Sequence, residues 1–290
     1  MNSKGQKWLK LLLFFIFIGC AGMYGYRIIQ TNQSQKVYET AVQIAEQERE
    51  MTMDESLEAE AQSKPEENTE AAKEEFVAVS YWKEVPVEDD PYMETLKETN
   101  LEALREVNED VLGWIMIPDT PLDYPLVQGE DNEYYLERDW KGEKNVAGSI
   151  FLEQINDKDF KHFNTVIYGH RMKNGSMFGS LRHYSQKSYW EQHPYIYIYD
   201  DAGAHRYEIF AAYEATLEGC TYQVELADDE SKQLFLNNCV GYSDIDTGVV
   251  PAIEDRIITL STCTGKGYES RWVVQARRKG ERVIKMEPKQ

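Results

Sequence analysis

A cysteine that closes a β-branched run is the first residue to weigh for chemistry. Cys263 ends Arg256-Ile257-Ile258-Thr259-Leu260-Ser261-Thr262-Cys263, and Thr264-Gly265-Lys266-Gly267 follows. A strand end where a Gly-rich loop opens is exposed yet rigidly placed. A thiolate there is a nucleophile. The plainer alternative is a buried structural cysteine, the commonest fate of a lone Cys, and spacing alone does not displace it. His170 has a parallel setting. Asn164-Thr165-Val166-Ile167-Tyr168-Gly169-His170 is a run ending in Gly-His, followed by Arg171-Met172-Lys173-Asn174-Gly175. The other histidines read as ordinary surface or packing residues: His162 precedes that run, His183 sits in an expected helix, His193 precedes Pro194, and His205 falls in a hairpin turn. Arg271 opens Arg271-Trp272-Val273-Val274-Gln275-Ala276-Arg277, one loop after Cys263. If the two runs pair antiparallel, the guanidinium returns close to the sulfur, where it could hold a carbonyl or a developing oxyanion. The alternative is a surface charge, as assigned to Arg277, Arg278 and Arg282. Together the three residues suit acyl transfer at a peptide bond: a thiolate attacks, an imidazole sets its ionisation or protonates the leaving amine, and a cation steadies the tetrahedral oxygen. Spacing by itself leaves that set a conjecture.

The elements that must hold these residues are mostly short and β-like. Gly113–Ile117, Pro125–Gln128, Gly148–Leu152, Thr165–Tyr168, Tyr195–Tyr199, Tyr207–Tyr213, Ile257–Leu260 and Trp272–Ala276 are separated by Gly, Pro, Asn and Asp clusters. Eight such strands suggest a mainly β fold, a closed barrel or sandwich. Before them, Met93, Leu96, Leu101, Leu104 and Val107 recur at roughly helical spacing, which predicts one amphipathic helix over Pro91–Val107. Two further helices, Met177–Tyr184 and Glu230–Tyr242, interrupt the strands.

Charge separates the regions. The chain of 290 residues carries a formal charge of −20. Nucleic-acid binding through phosphates needs a basic surface and is disfavoured. Residues 31–80 carry 13 acidic and 4 basic residues and residues 81–140 carry 17 and 4, whereas residues 141–290 are nearly balanced. Residues 31–80, rich in Glu, Gln, Ala, Ser and Thr, read as a flexible acidic stalk with some helical pattern near Val37–Met53. At the start, Lys4, Lys7 and Lys10 precede an uncharged, mostly apolar run from Leu11 to Tyr26. With its flanks this run is long enough to span a bilayer, N-terminus inside and the rest exported. A cleaved signal peptide, or a lipoprotein site at Phe17-Ile18-Gly19-Cys20, shares that export. The expected division is thus 1–30 cytoplasmic tip and anchor, 31–80 stalk, and 81–290 catalytic domain. None of Cys20, Cys220, Cys239 and Cys263 has the short spacing of a zinc or redox site. If any pair forms, Cys220–Cys239 is the candidate; the favoured reading is two core thiols.

With these residues in hand, the sequence resembles the sortases, membrane-anchored cysteine transpeptidases of Gram-positive bacteria. Thr259-Leu260-Ser261-Thr262-Cys263 matches the family's TLxTC signature, Arg271 its arginine, and Tyr168-Gly169-His170 the end of the strand that carries its histidine. The resemblance covers about residues 90–280. It is most similar to class B through Ala147-Gly148-Ser149-Ile150-Phe151, Asn174-Gly175-Ser176-Met177-Phe178, and the helix before Ser243-Asp244-Ile245-Asp246-Thr247-Gly248. It implies a closed eight-stranded barrel with an N-terminal helix and an added helix before the seventh strand.

The resemblance also implies a mechanism. Cys263 attacks the Thr–Gly or Thr–Asn bond of a sorting signal on an exported protein, and His170 protonates the departing amine. A thioester forms, and an amine of the peptidoglycan precursor or a pilin lysine resolves it. Arg271 positions the substrate and stabilises the oxyanion, while Ser261 and Thr262 line the groove. No metal or organic cofactor is implied. A pilin-polymerising sortase, a surface cysteine peptidase with water as acceptor, and a non-catalytic membrane-tethered binding module remain the alternatives.

Overall fold

Alternation and β-branching place the chain in strands wherever Gly, Pro and Asp clusters allow it to turn. The computed structural model describes residues 3–46, 76–87, 89–264 and 269–288. Eight strands close a mixed barrel: β2 (Val111–Met116), β3 (Asp123–Val127), β4 (Ile150–Leu152), β5 (Asn164–Tyr168), β6 (Tyr195–Asp200), β7 (Gly203–Thr216), β8 (Arg256–Cys263) and β9 (Ser270–Arg278). Their order around the barrel is β2-β3-β4-β5-β8-β9-β7-β6. The β3/β4 and β5/β8 pairs are parallel and the others antiparallel. Each of the eight expected strands corresponds to one of these. Two more strands, β1 (Phe76–Glu84) and β10 (Gly280–Pro288), form a separate antiparallel ribbon that the sequence reading did not contain.

Two apolar layers hold the sheet. The barrel interior is filled by side chains such as Ile115, Leu126, Ile167, Ile198, Leu260 and Val274. On the outer face of β7, β8 and β9, the helix α5 (Asp229–Tyr242) packs Phe235, Leu236 and Cys239 against Phe210, Tyr213, Ile257 and Val273. Asp228 caps α5 by accepting from Ser231 N, which fixes where the helix begins. The helix expected over Pro91–Val107 is two, α2 (Pro91–Lys97) and α3 (Leu101–Val107). Asn100 breaks it, because its side chain accepts from Ala103 N and starts a new helix. Phe178–Ser185 is a 3-10 helix, followed by the short helix α4 (Lys187–Gln192).

The N-terminal helix α1 (Ser3–Glu46) runs without interruption across the boundary expected at residue 31. Leu13 to Ile18 and Met23 to Ile29 expose large apolar side chains, and among the described residues this is the one helix long and apolar enough to cross a membrane. Past it, Ser34, Tyr38, Ala41 and Ala45 are buried against the barrel. Residues 31–46 are therefore a docked helix and not a free stalk; the i, i+4, i+7 spacing puts these small side chains and one tyrosine on a single stripe. The rest of the expected stalk, up to residue 75, lies outside the described residues.

Candidate active site

The register of three adjacent strands decides where the chemistry-bearing residues meet. In the antiparallel β8/β9 pair, Cys263 and Arg271 are Cα partners. In the parallel β5/β8 pair, Tyr168 stands opposite Ser261. Gly169 N continues that ladder by donating to the Ser261 carbonyl at 3.3 Å. His170, two residues beyond Tyr168, is thus level with Cys263, two beyond Ser261. Pairing preserves the face on which side chains point, so imidazole, sulfur and guanidinium form a row across three strand ends.

That row opens on a groove of about 360 Å³. His170, Cys263 and Arg271 line it, with Tyr168, Tyr222, Asn132, Leu136, Phe151 and Leu217. Cys263, His170 and Arg271 are each half-buried. Ser261 and Thr262 reach the groove only at its floor, 1% and 2% exposed. Ser261 Oγ lies 3.0 Å from Tyr222 Oη. Thr262 Oγ1 is buried with no hydrogen-bond partner among the described residues, and alternation along β8 turns it to the face opposite Ser261 and Cys263. All five residues singled out from the sequence are brought to one groove. His162, His183 and His193 lie elsewhere; His205, expected in a hairpin turn, is in β7, buried beside Asp200 and Glu84.

The imidazole is held from behind. His170 Nε2 lies 2.6 Å from the Leu136 carbonyl oxygen. A carbonyl can only accept, so Nε2 carries the hydrogen and Nδ1 is left to exchange a proton. The residue before it has to be glycine for space: a Cβ at Gly169 would lie 2.5 Å from Ile150 Cδ1 and 2.8 Å from Phe178 Cγ.

The groove wall is polar but not ionised on its tyrosines. Burial, and then the Glu153 carboxylate, push the Tyr168 hydroxyl well above the usual phenol range, against the Arg271 guanidinium that pulls it down. Tyr168 donates to Glu153 Oε2 at 2.8 Å, and Asn132 donates to Glu153 Oε1 at 2.5 Å. Burial likewise raises Tyr222, which feels both Arg271 and Cys263. Sequence reasoning missed Tyr168 and Tyr222 as wall residues. The signal for Tyr168 was its position two before the histidine on one strand face; Tyr222, on a 3-10 turn far from β8 in sequence, left none.

Cys20, Cys220, Cys239 and Cys263 are all free thiols. Among the described residues, no group of three or more His, Cys, Asp or Glu side chains could hold a metal ion.

Comparison with known proteins follows the same outline. A family described as Sortase domain matches residues 115–279. Sortase B of Listeria monocytogenes is 41% identical over 179 residues, which is 61% of this chain and 73% of that protein. A Staphylococcus aureus sortase B–substrate complex superposes with a TM-score of 0.59 at 33% identity, covering 63% of this chain and 85% of that one. Sortase B from B. anthracis in complex with AAEK1 reaches a TM-score of 0.63 at 28% identity, covering 86% of this chain and 98% of that one.

Proposed function

The chain belongs to the sortase family of cysteine transpeptidases, with relatives of class B, and on that premise we propose that it cleaves the C-terminal sorting signal of an exported protein at a Thr–Gly or Thr–Asn bond and transfers the acyl group to an amine of the cell-wall precursor. The Cys263 thiolate attacks the threonine carbonyl. A carbon–sulfur bond forms and the carbonyl oxygen takes the negative charge. His170, through Nδ1, gives a proton to the departing amine as the carbon–nitrogen bond breaks. A thioester then joins the substrate threonine to Cys263. The acceptor amine attacks it, loses a proton to the imidazole, and expels the sulfur as thiolate, which restores the enzyme.

Arg271 steadies the oxyanion in both halves, its planar fork offering two directed donors where a lysine offers a point charge. Ser261 and Thr262 form the groove floor beneath the peptide. The exposed apolar turns of α1 anchor the protein in the membrane. Lys4, Lys7 and Lys10 before them keep the N-terminus cytoplasmic and put the barrel outside. The protein at the other end of the reaction is then a surface protein exported through the same membrane.

What most supports this reading is the row of His170, Cys263 and Arg271 across three strand ends on one groove. The test is incubation with Asn-Pro-x-Thr-Asn and Leu-Pro-x-Thr-Gly peptides, with and without an amine such as triglycine. Peptide joined to the amine is the expected main product. Cleavage of the same extent and product with or without amine would make it a peptidase instead.

A further inference from the structure

Tyr38 is a large polar side chain buried on the last turns of α1, 7% exposed, with no part in the chemistry above. Two of its contacts each lead to a support of His170. Its hydroxyl donates to the Gly148 carbonyl. Its ring meets Tyr124 edge-on, centroids 5.1 Å apart and planes at 86°.

Gly148 is the floor beneath the imidazole. Its φ is +56°, which side-chain-bearing residues rarely adopt, and a Cβ there would lie 2.8 Å from His170 Cδ2. The same Cβ would lie 2.6 Å from the Leu136 carbonyl oxygen, the acceptor for His170 Nε2. Tyr124 leads to the other support. Its hydroxyl accepts from Met177 N at 3.1 Å. Met177 is held at φ +53°, and the next amide, Phe178 N, donates to the His170 carbonyl at 3.0 Å. One side chain on the helix that leaves the membrane thus touches the surface under the ring directly and, through Tyr124, the segment that fixes its backbone.

We propose that Tyr38 is a positioning residue for His170, so that docking of the juxtamembrane helix sets the place of the imidazole in the groove. The proposal rests on the reading of His170 as the general acid and base. Burial holds the Tyr38 hydroxyl far above the usual phenol range, so it remains a donor to Gly148 throughout the working pH range. A displaced imidazole weakens proton delivery in the transition state and leaves the binding of peptide to the groove walls untouched. The loss therefore falls on kcat and not on KM.

The experiment uses the full chain in detergent micelles with whichever of the two sorting peptides the wild type cleaves. Tyr38→Phe, Tyr38→Leu, Leu236→Ala and His170→Ala are compared at matched folded fraction by circular dichroism. Tyr38→Phe is expected to lower kcat about tenfold with KM within about twofold, and Tyr38→Leu, which also removes the ring, about a hundredfold. Leu236→Ala opens a cavity under α5, away from α1, and leaves kcat per folded molecule unchanged; a kcat lowered there as far as in Tyr38→Phe would make the loss a general effect of destabilisation and overturn the proposal. An inactive His170→Ala beside a Tyr38→Phe with wild-type kcat overturns the positioning role and spares the mechanism. A His170→Ala that still turns over overturns the mechanism itself. Should Tyr38→Phe not fold, Tyr38→Met, which fills the volume without hydroxyl or ring, takes its place, and an unchanged kcat there overturns the proposal.

Discussion

The outer face of β8 carries two polar sites four residues apart, and they behave oppositely. At Cys263 the strand ends in an open groove. At Thr259 the same face is sealed under α5. There Thr259 Oγ1 donates to Asn164 Oδ1 at 2.7 Å and accepts from Gln275 Nε2 at 3.0 Å. Asn164 donates to the Thr221 and Gln223 carbonyls at 3.0 Å each. The Tyr213 hydroxyl lies 3.0 Å from Thr221 Oγ1, 3.1 Å from Gln275 Oε1 and 3.5 Å from Cys239 Sγ. The sealed layer has a cysteine, threonines and a tyrosine, much as the groove does. The difference is satisfaction: each sealed group spends its donors and acceptors on its neighbours, whereas the groove keeps a half-buried thiol at an open strand end. Polar residue types alone do not mark a reactive site; spare bonding capacity open to solvent does.

Substitutions on the two sites should separate activity from stability. Cys263→Ala is expected to lower peptide turnover by about 10⁴-fold or more while melting within a few degrees of wild type, read by a quenched-peptide assay and calorimetry. Retained turnover would remove the thiol from the mechanism. Arg271→Lys should cost about 10²- to 10³-fold in kcat/KM, since a single ammonium cannot reproduce the fork; near wild-type kinetics would make Arg271 a surface charge. Gln275→Leu inverts the pattern: about 2–3 kcal/mol of stability is lost by denaturant titration because Thr259 and Tyr213 lose a buried partner, and turnover per folded molecule is retained.

The smallest effect is one of pH. Burial pushes the Cys239 thiol up to about 12. Its folded value lies above the unfolded one, so its contribution to stability is full below about pH 8.5 and is lost as pH rises towards the folded value. Iodoacetamide at neutral pH should label Cys263 in the native protein and spare Cys239, as read by peptide mass mapping. Equal labelling of both would mean that α5 opens and the seal is not a seal.

Much of the barrel was legible because its signals are local. β-branched runs between Gly, Pro and Asp clusters mark each of the eight strands within a few residues, and the TLxTC run and the Gly-His end fall where two parallel neighbours stop. What escaped depends on distant partners. Phe76–Glu84 pairs with Gly280–Pro288 some two hundred residues later, and neither segment alone says so. The docked stripe of α1 consists of Ser34, Tyr38, Ala41 and Ala45, too weakly apolar to stand out in an acidic, Gln-rich stretch. The break in Pro91–Val107 turned on one asparagine that caps better than it propagates. Gly148 was visible within Ala147-Gly148-Ser149, but its closeness to His170 is a fact of tertiary packing.

The unbroken course of α1 carries a mechanical corollary. From Ile29, the last of its exposed apolar residues, to Tyr38, already locked on the barrel, is nine residues, or about 14 Å of rigid rod. With those apolar turns seated in a membrane as proposed above, a barrel mounted on so short a post would be held at a fixed altitude close over the lipid headgroups, and a cargo moored by its own tail would have to offer its scissile bond at that same height.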